Sequence, residues 1–135
     1  MSPLRTLPPA GTVIPFPLLL KGLLGALRPG DARARLAHEI QQLYGVREVH
    51  LLNSGRSVLT VLLQAMKEAR PERTEVILPG YTCYSVAAAA VRVGLKVRPV
   101  DIDPDTFDYD PAALEAVDTS NTLALITANL FGIPN

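Results

Sequence analysis

Four short apolar runs, at 46–52, 75–78, 95–100 and 123–128, alternate with stretches of helical period, and no other feature constrains the fold as much. Strands separated by helices cannot pair as tight hairpins, because a parallel partner is reached only through a crossover. A parallel sheet made this way is covered by helices on both faces. The predicted fold class is therefore α/β, with three layers around a mostly parallel sheet. A chain that is 48% hydrophobic and 19% charged has the material for such a core, which argues against wholesale disorder. At 135 residues it has the size of one ordinary domain.

The helical stretches carry their own boundaries. Asp31 is an N-cap candidate, and Leu36, Ile40, Leu43 and Tyr44 recur at three and four as one apolar stripe that ends at Gly45. In the run at 46–52, Val49, Leu51 and Leu52 are the apolar part of a strand. Asn53-Ser54-Gly55 then opens a second helix, whose buried side is predicted to be Val58, Leu59, Leu62, Leu63 and Met66, with Pro71 as its stop. After Pro79-Gly80 an alanine-rich helix covers 84–93 and ends at Gly94. A short helix over 111–117 starts with proline in its first turn. The last apolar run ends seven residues before Asn135 with no helix to cover it, so we expect the N-terminal portion of a longer protein.

Residues 1–30 are expected to be an arm or docking segment. The greasy run at 13–27 is broken by Pro15, Pro17, Lys21 and Gly22 and falls short of the roughly 20 apolar residues a spanning helix needs. Only Arg5 precedes it, which is a poor start for a signal peptide. The sequence is read as cytoplasmic, without a transmembrane segment.

Charge and metal-ligand counts remove whole classes of function. Thirteen basic and thirteen acidic residues cancel, which argues against a general grip on nucleic acid. The balance is uneven along the chain: residues 101–135 hold seven acidic groups and no basic one. One cysteine and two histidines cannot supply a usual closed zinc site, and lone Cys83 permits no internal disulfide. The aspartates of 101–110 lack the ligand order and central glycine of a calcium-binding EF-hand loop, and Asp105 and Asp110 read as turn and cap residues. No metal site is assigned. His38 and His50 read as packing or surface residues.

Two turns could carry chemistry. At Leu52-Asn53-Ser54-Gly55-Arg56-Ser57 a strand passes straight into a helix. Ser54 can cap that helix, while the first N–H groups, at Gly55, Arg56 and Ser57, face the turn. A helix start of this kind binds phosphate, and an ordinary capped helix has the same local sequence. The GxxxxGK[ST] and GxGxxG patterns are both absent. The second turn is Pro79-Gly80-Tyr81-Thr82-Cys83-Tyr84-Ser85, at the carboxyl edge of the same sheet, where ligands collect in open α/β folds. Tyr81 and Tyr84 offer flat surfaces to a ring, or wedge against neighbouring loops. Cys83 reads as a nucleophile or as a small buried residue.

Taken in order, these segments resemble the DegT/DnrJ/EryC1/StrS family of pyridoxal-phosphate sugar aminotransferases. The resemblance begins near Gly30 and sharpens at Leu52-Asn53-Ser54-Gly55-Arg56-Ser57-Val58-Leu59 and Val76-Ile77-Leu78-Pro79-Gly80-Tyr81-Thr82-Cys83. It continues through Gly94-Leu95-Lys96-Val97-Arg98-Pro99-Val100-Asp101-Ile102-Asp103, Pro104-Asp105-Thr106 and Leu130-Phe131-Gly132. It implies part of the large domain of an aspartate-aminotransferase-type (fold type I) enzyme at 31–135, with pyridoxal 5'-phosphate bound at the strand ends. The implied parent transfers an amino group from an amino donor to a nucleotide-linked keto-sugar, and is a homodimer. Gly55 and Arg56 fall on the family's Gly-Thr phosphate position, with Ser54 and Ser57 beside them. Arg56 departs from threonine there, and Cys83 replaces the ring-stacking aromatic, a loss that Tyr84 or Tyr81 can compensate. The family's aspartate for the pyridine nitrogen and its Schiff-base lysine are expected beyond Asn135. None of Lys21, Lys67 and Lys96 matches that lysine motif, so no catalytic residue is assigned and the 135 residues alone are expected to be inactive. The alternative is a non-enzymatic α/β binding or interaction domain derived from the same scaffold.

Overall fold

The computed structural model describes residues 14–27 and 30–132, in two units that meet between Leu51 and Leu52. The first unit carries two helices, α1 (Phe16–Ala26) and α2 (Ala32–Tyr44). Pro15 and Pro17 sit at the start of α1, where missing N–H donors do no harm, and the helix runs on through Lys21 and Gly22. All of its described side chains are exposed. Asp31 caps α2 by accepting from Ala34 N–H at 3.0 Å, and Gly45 closes it in the left-handed conformation. The predicted stripe on α2 is not buried: Leu36, Leu43 and Tyr44 are all exposed.

The run at 46–52 is not a strand. A strand is stable only when its N–H and C=O groups meet a neighbouring ladder. Here Arg47 C=O accepts from the Gln41 side chain at 2.8 Å and Leu51 C=O from Arg33 at 3.4 Å, and no ladder partner is present among the described residues. Four predicted strands become three.

The second unit holds α3 (Gly55–Ala69), β1 (Glu75–Pro79), α4 (Tyr84–Arg92), β2 (Lys96–Val100), α5 (Pro111–Glu115), β3 (Thr122–Leu125) and a 3-10 turn (Leu130–Gly132). The sheet order is β2-β1-β3, and both pairings are parallel. In the central strand successive side chains face opposite sides, so Val76 and Leu78 pack with Leu63, Ala90 and Leu95 under α3 and α4. Ile77 packs on the other face with Val100 and Tyr109, against Ala113, Leu114 and Val117 of α5 and its C-terminal end. Both faces of β1 are thus covered, giving the three layers. Each large apolar side chain buried there contributes about 1.5–3 kcal/mol.

The buried side of α3 is narrower than predicted. Leu63 is fully buried and Leu59 packs on the core, whereas Val58 and Leu62 are exposed. A parallel sheet gathers its strand ends at one edge, and the starts of α3 and α4 lie together there, α4 after the exit of β1 and α3 after the non-strand run at 46–52. Local sequence puts them there: Ser54 caps α3, and Gly80 lets β1 leave beside β2.

Candidate functional site

The site is built around the start of α3. Ser54 is extended, at φ −162° and ψ 155°, which turns its Oγ back onto the helix, where it accepts from Ser57 N–H at 3.2 Å. The two hydroxyls, Ser54 Oγ and Ser57 Oγ, are 3.0 Å apart. The first backbone bond of the helix is Val58 N–H to Ser54 C=O at 3.0 Å. Gly55 and Arg56 N–H therefore precede the ladder and have no acceptor among the described residues. A Cβ placed on Gly55 would meet nothing within 4 Å, so the space beside this first turn is open at Gly55.

The second turn closes on the first. Gly80 N–H donates to Val100 C=O at 2.7 Å, and a Cβ at Gly80 would press to 3.3 Å from that oxygen, which favours glycine at the close approach. Four residues later Tyr84 starts α4. The Arg56 guanidinium donates from Nη2 to Tyr84 Oη at 3.1 Å and lies 5.4 Å from the ring centroid. This contact spans 28 residues and ties the two helix starts together.

Cys83 is exposed at the N-cap of α4 and is not buried, although one reading of the sequence had it so. Its Sγ lies 3.0 Å from Ser85 Oγ. Hydrogen bonds to the hydroxyl and backbone of Ser85 pull the thiol below its ordinary pKa, and the Arg56 charge adds a smaller pull. Tyr81 is exposed and makes no hydrogen bond or ring contact among the described residues. The structure therefore brings Ser54, Gly55, Arg56, Ser57, Cys83 and Tyr84 to one sheet edge, with Tyr81 on the turn between β1 and α4.

Sequence reasoning missed two features. Pro79 pairs with Val100, so Gly80 lies opposite Asp101, whose Oδ1 is 3.6 Å from the Gly80 Cβ position. A carboxylate from the acidic loop thus stands at the rim of the site; the parallel register between the runs at 75–78 and 95–100 was the signal for it. The Arg56–Tyr84 contact has no local signal at all.

The lysines lie elsewhere. Lys67 donates to Val93 C=O at 2.6 Å, at the far end of α4. Lys96 is 4.0 Å from Glu75, at the opposite end of the sheet. Most of the acidic loop is spent on its own turns, with Asp103 accepting from Asp105 N–H at 2.7 Å and Asp110 capping α5 through Ala112 and Ala113 N–H. His38 and His50 are surface residues, beside Gln42 and Glu48 respectively. Among the described residues no helix is long and apolar enough to cross a membrane.

The sequence profile of the DegT/DnrJ/EryC1/StrS aminotransferase family matches residues 23–135. A 3-amino-5-hydroxybenzoate synthase from Amycolatopsis mediterranei is 31% identical over 104 residues, covering 77% of this chain and 26% of the relative. An L-glutamine:2-deoxy-scyllo-inosose aminotransferase from Streptomyces kanamyceticus is 36% identical over 103 residues, 75% of this chain and 23% of its own length. Among solved structures, Spr1654 from Streptococcus pneumoniae in its PLP form aligns with a TM-score of 0.74 and 26% identity, over 86% of this chain and 30% of that one. The chain spans about a quarter of the length of the curated relatives it matches.

Proposed function

Because the chain belongs to the DegT/DnrJ/EryC1/StrS aminotransferase family, we propose that its α3 and α4 starts form the phosphate side of a pyridoxal 5'-phosphate site. The observation that carries this reading is the open α3 start, where Gly55 and Arg56 N–H have no acceptor among the described residues and Arg56 reaches across to Tyr84. The donor set fits the group. A phosphate dianion wants several N–H and O–H donors at the positive end of a helix, and the first turn of α3 supplies them with no acidic residue among them. Gly55, without a side chain, leaves room for the ligand.

In this reading Ser54 and Ser57 hold phosphate oxygens through their hydroxyls, and Gly55 and Arg56 through backbone N–H. Tyr81 and Cys83 would line the side toward the ring, with Tyr84 beside them at the start of α4. Bound pyridoxal phosphate supplies the electron sink for amino transfer. The residues of this chain hold and orient it. Proton transfer at the reacting carbon needs an amine at that carbon, and Lys67 and Lys96 are held elsewhere by Val93 and Glu75.

The whole protein is proposed to transfer an amino group from an amino donor to a nucleotide-linked keto-sugar, as a cytoplasmic homodimer. Residues 1–30, of which 1–13 and 28–29 lie outside the described residues, are proposed as an arm, and 31–135 as part of the cofactor-binding domain. By themselves residues 1–135 should bind the cofactor weakly and not turn over. The test is to titrate the chain with pyridoxal phosphate, following tyrosine fluorescence, and then assay transfer from amino acids to keto-sugars. Saturable binding without turnover is the expected result. Turnover lost on replacing Lys21, Lys67 or Lys96 would overturn the assignment of roles, and a folded chain that does not bind would favour an interaction domain.

A further inference from the structure

We infer that Arg56 places a fixed positive charge on the cofactor phosphate and that Tyr84 is the residue that positions it, rather than a surface for the cofactor ring. This rests on the proposed pyridoxal phosphate site and divides the labour within it. The guanidinium is bound to Tyr84 Oη at 3.1 Å and lies over the ring at 5.4 Å, so one face of Tyr84 is already taken by a cation. Tyr81 is left as the tyrosine with a free ring among the described residues of the turn.

Electrostatics explains why an anion belongs here. The starts of α3 and α4 are the positive ends of their dipoles, and acidic residues normally gather in such first turns. Neither helix has one. Arg56 adds a full positive charge between them and forms no ion pair with any carboxylate among the described residues. Asp101 stands at the rim, beside Gly80, without pairing to Arg56. A hydroxyl and a ring face hold the guanidinium without neutralising it. Its charge is free for a phosphate that the neighbouring N–H groups already attract, and its planar fork suits phosphate oxygens.

The experiment titrates the full chain with pyridoxal phosphate, inorganic phosphate and pyridoxal, each at low and high salt. Arg56→Thr is expected to weaken both phosphate ligands about fivefold at low salt, an exposed charge contact being worth about 1 kcal/mol, and to flatten their salt dependence. Pyridoxal, which has no phosphate, should be unaffected. Tyr84→Phe keeps the ring but frees the guanidinium, and should weaken the same two ligands about twofold. Arg56→Lys retains the charge and should restore the salt dependence. Circular dichroism confirms that each variant folds. If Arg56→Thr binds pyridoxal phosphate as the parent does, with the same salt dependence, the charge assignment is wrong while the backbone phosphate site stands. Tyr84→Leu, which removes the ring as well, should likewise spare pyridoxal; equal weakening of pyridoxal by that variant would make Tyr84 a ring contact and overturn its positioning role. If the unaltered chain binds neither phosphate ligand, the proposed site fails and this inference with it.

Discussion

At Gly55 the backbone has no need of glycine: its φ is not positive, and a Cβ there would meet nothing within 4 Å. The contrast is Gly94, where φ is +73° and a Cβ would come within 3.1 Å of Lys67 Nζ. Alanine at 94 is strained by the backbone whatever the space. Alanine at 55 is free to fold, and helix propensity alone favours it by up to about 1 kcal/mol. What the added methyl would occupy is the open space beside the first turn of α3. Gly55→Ala should therefore leave the melting temperature unchanged or slightly raised while weakening pyridoxal phosphate binding. Thermal unfolding and a binding titration on one preparation check this. Unchanged affinity would mean that the phosphate does not approach Gly55.

Among the elements, local chemistry was legible and partnership was not. Asp31, Ser54 and Asp110 cap their helices as the sequence suggests, because a cap joins groups within three residues. The run at 46–52 has apolar residues but no ladder, and a ladder lies outside the segment. Apolar spacing on α3 marked five positions, and the packing of β1 decided that Leu63 rather than Leu62 is buried. The capped start of α3 was legible because a helix start is local, whereas the Arg56–Tyr84 tie is not. The acidic loop shows how a distant contact acts on an element. Tyr109 is buried against Ile77 and Val100, and its hydroxyl donates to Ile126 C=O at 2.7 Å, fastening the loop to the chain just after β3. Burial pushes its pKa up from 10.0 to about 12, with Asp108 adding repulsion. The fold thus favours the neutral phenol. Its contribution to stability is complete below pH 10 and is lost as pH rises from 10.0 to about 12. Tyr109→Phe should lower stability at neutral pH by about 1 kcal/mol through the lost hydrogen bond. It should also remove this alkaline loss. Urea unfolding across the pH series tests both; an alkaline slope unchanged in the variant would show that Tyr109 is not its source.

Over the whole molecule the decisive quantities are exposed apolar area and charge. Along α1, Phe16, Leu18, Leu19, Leu20, Leu23 and Leu24 are all exposed, with Leu19 at 55% and Leu23 at 61%. Exposed apolar side chains are ordinary when scattered, but a contiguous set is a site of association. Lys21 is the one charge within this helix, and the chain's net charge is zero with an isoelectric point near 6.7. Little electrostatic repulsion opposes contact between copies near that pH. The isolated chain should therefore associate as its concentration rises, most strongly near its isoelectric point. Replacing Leu19 and Leu23 together by lysine puts two charges on neighbouring turns of one face, four residues apart. Neither side chain is buried, so the fold loses no core contact, and sedimentation velocity should show a shift toward monomer with unchanged circular dichroism. Added salt should leave association of the parent intact and partly restore it in the lysine variant, because screening weakens the new repulsion and not the apolar attraction. Equal association of parent and variant at low salt would move the cause away from α1.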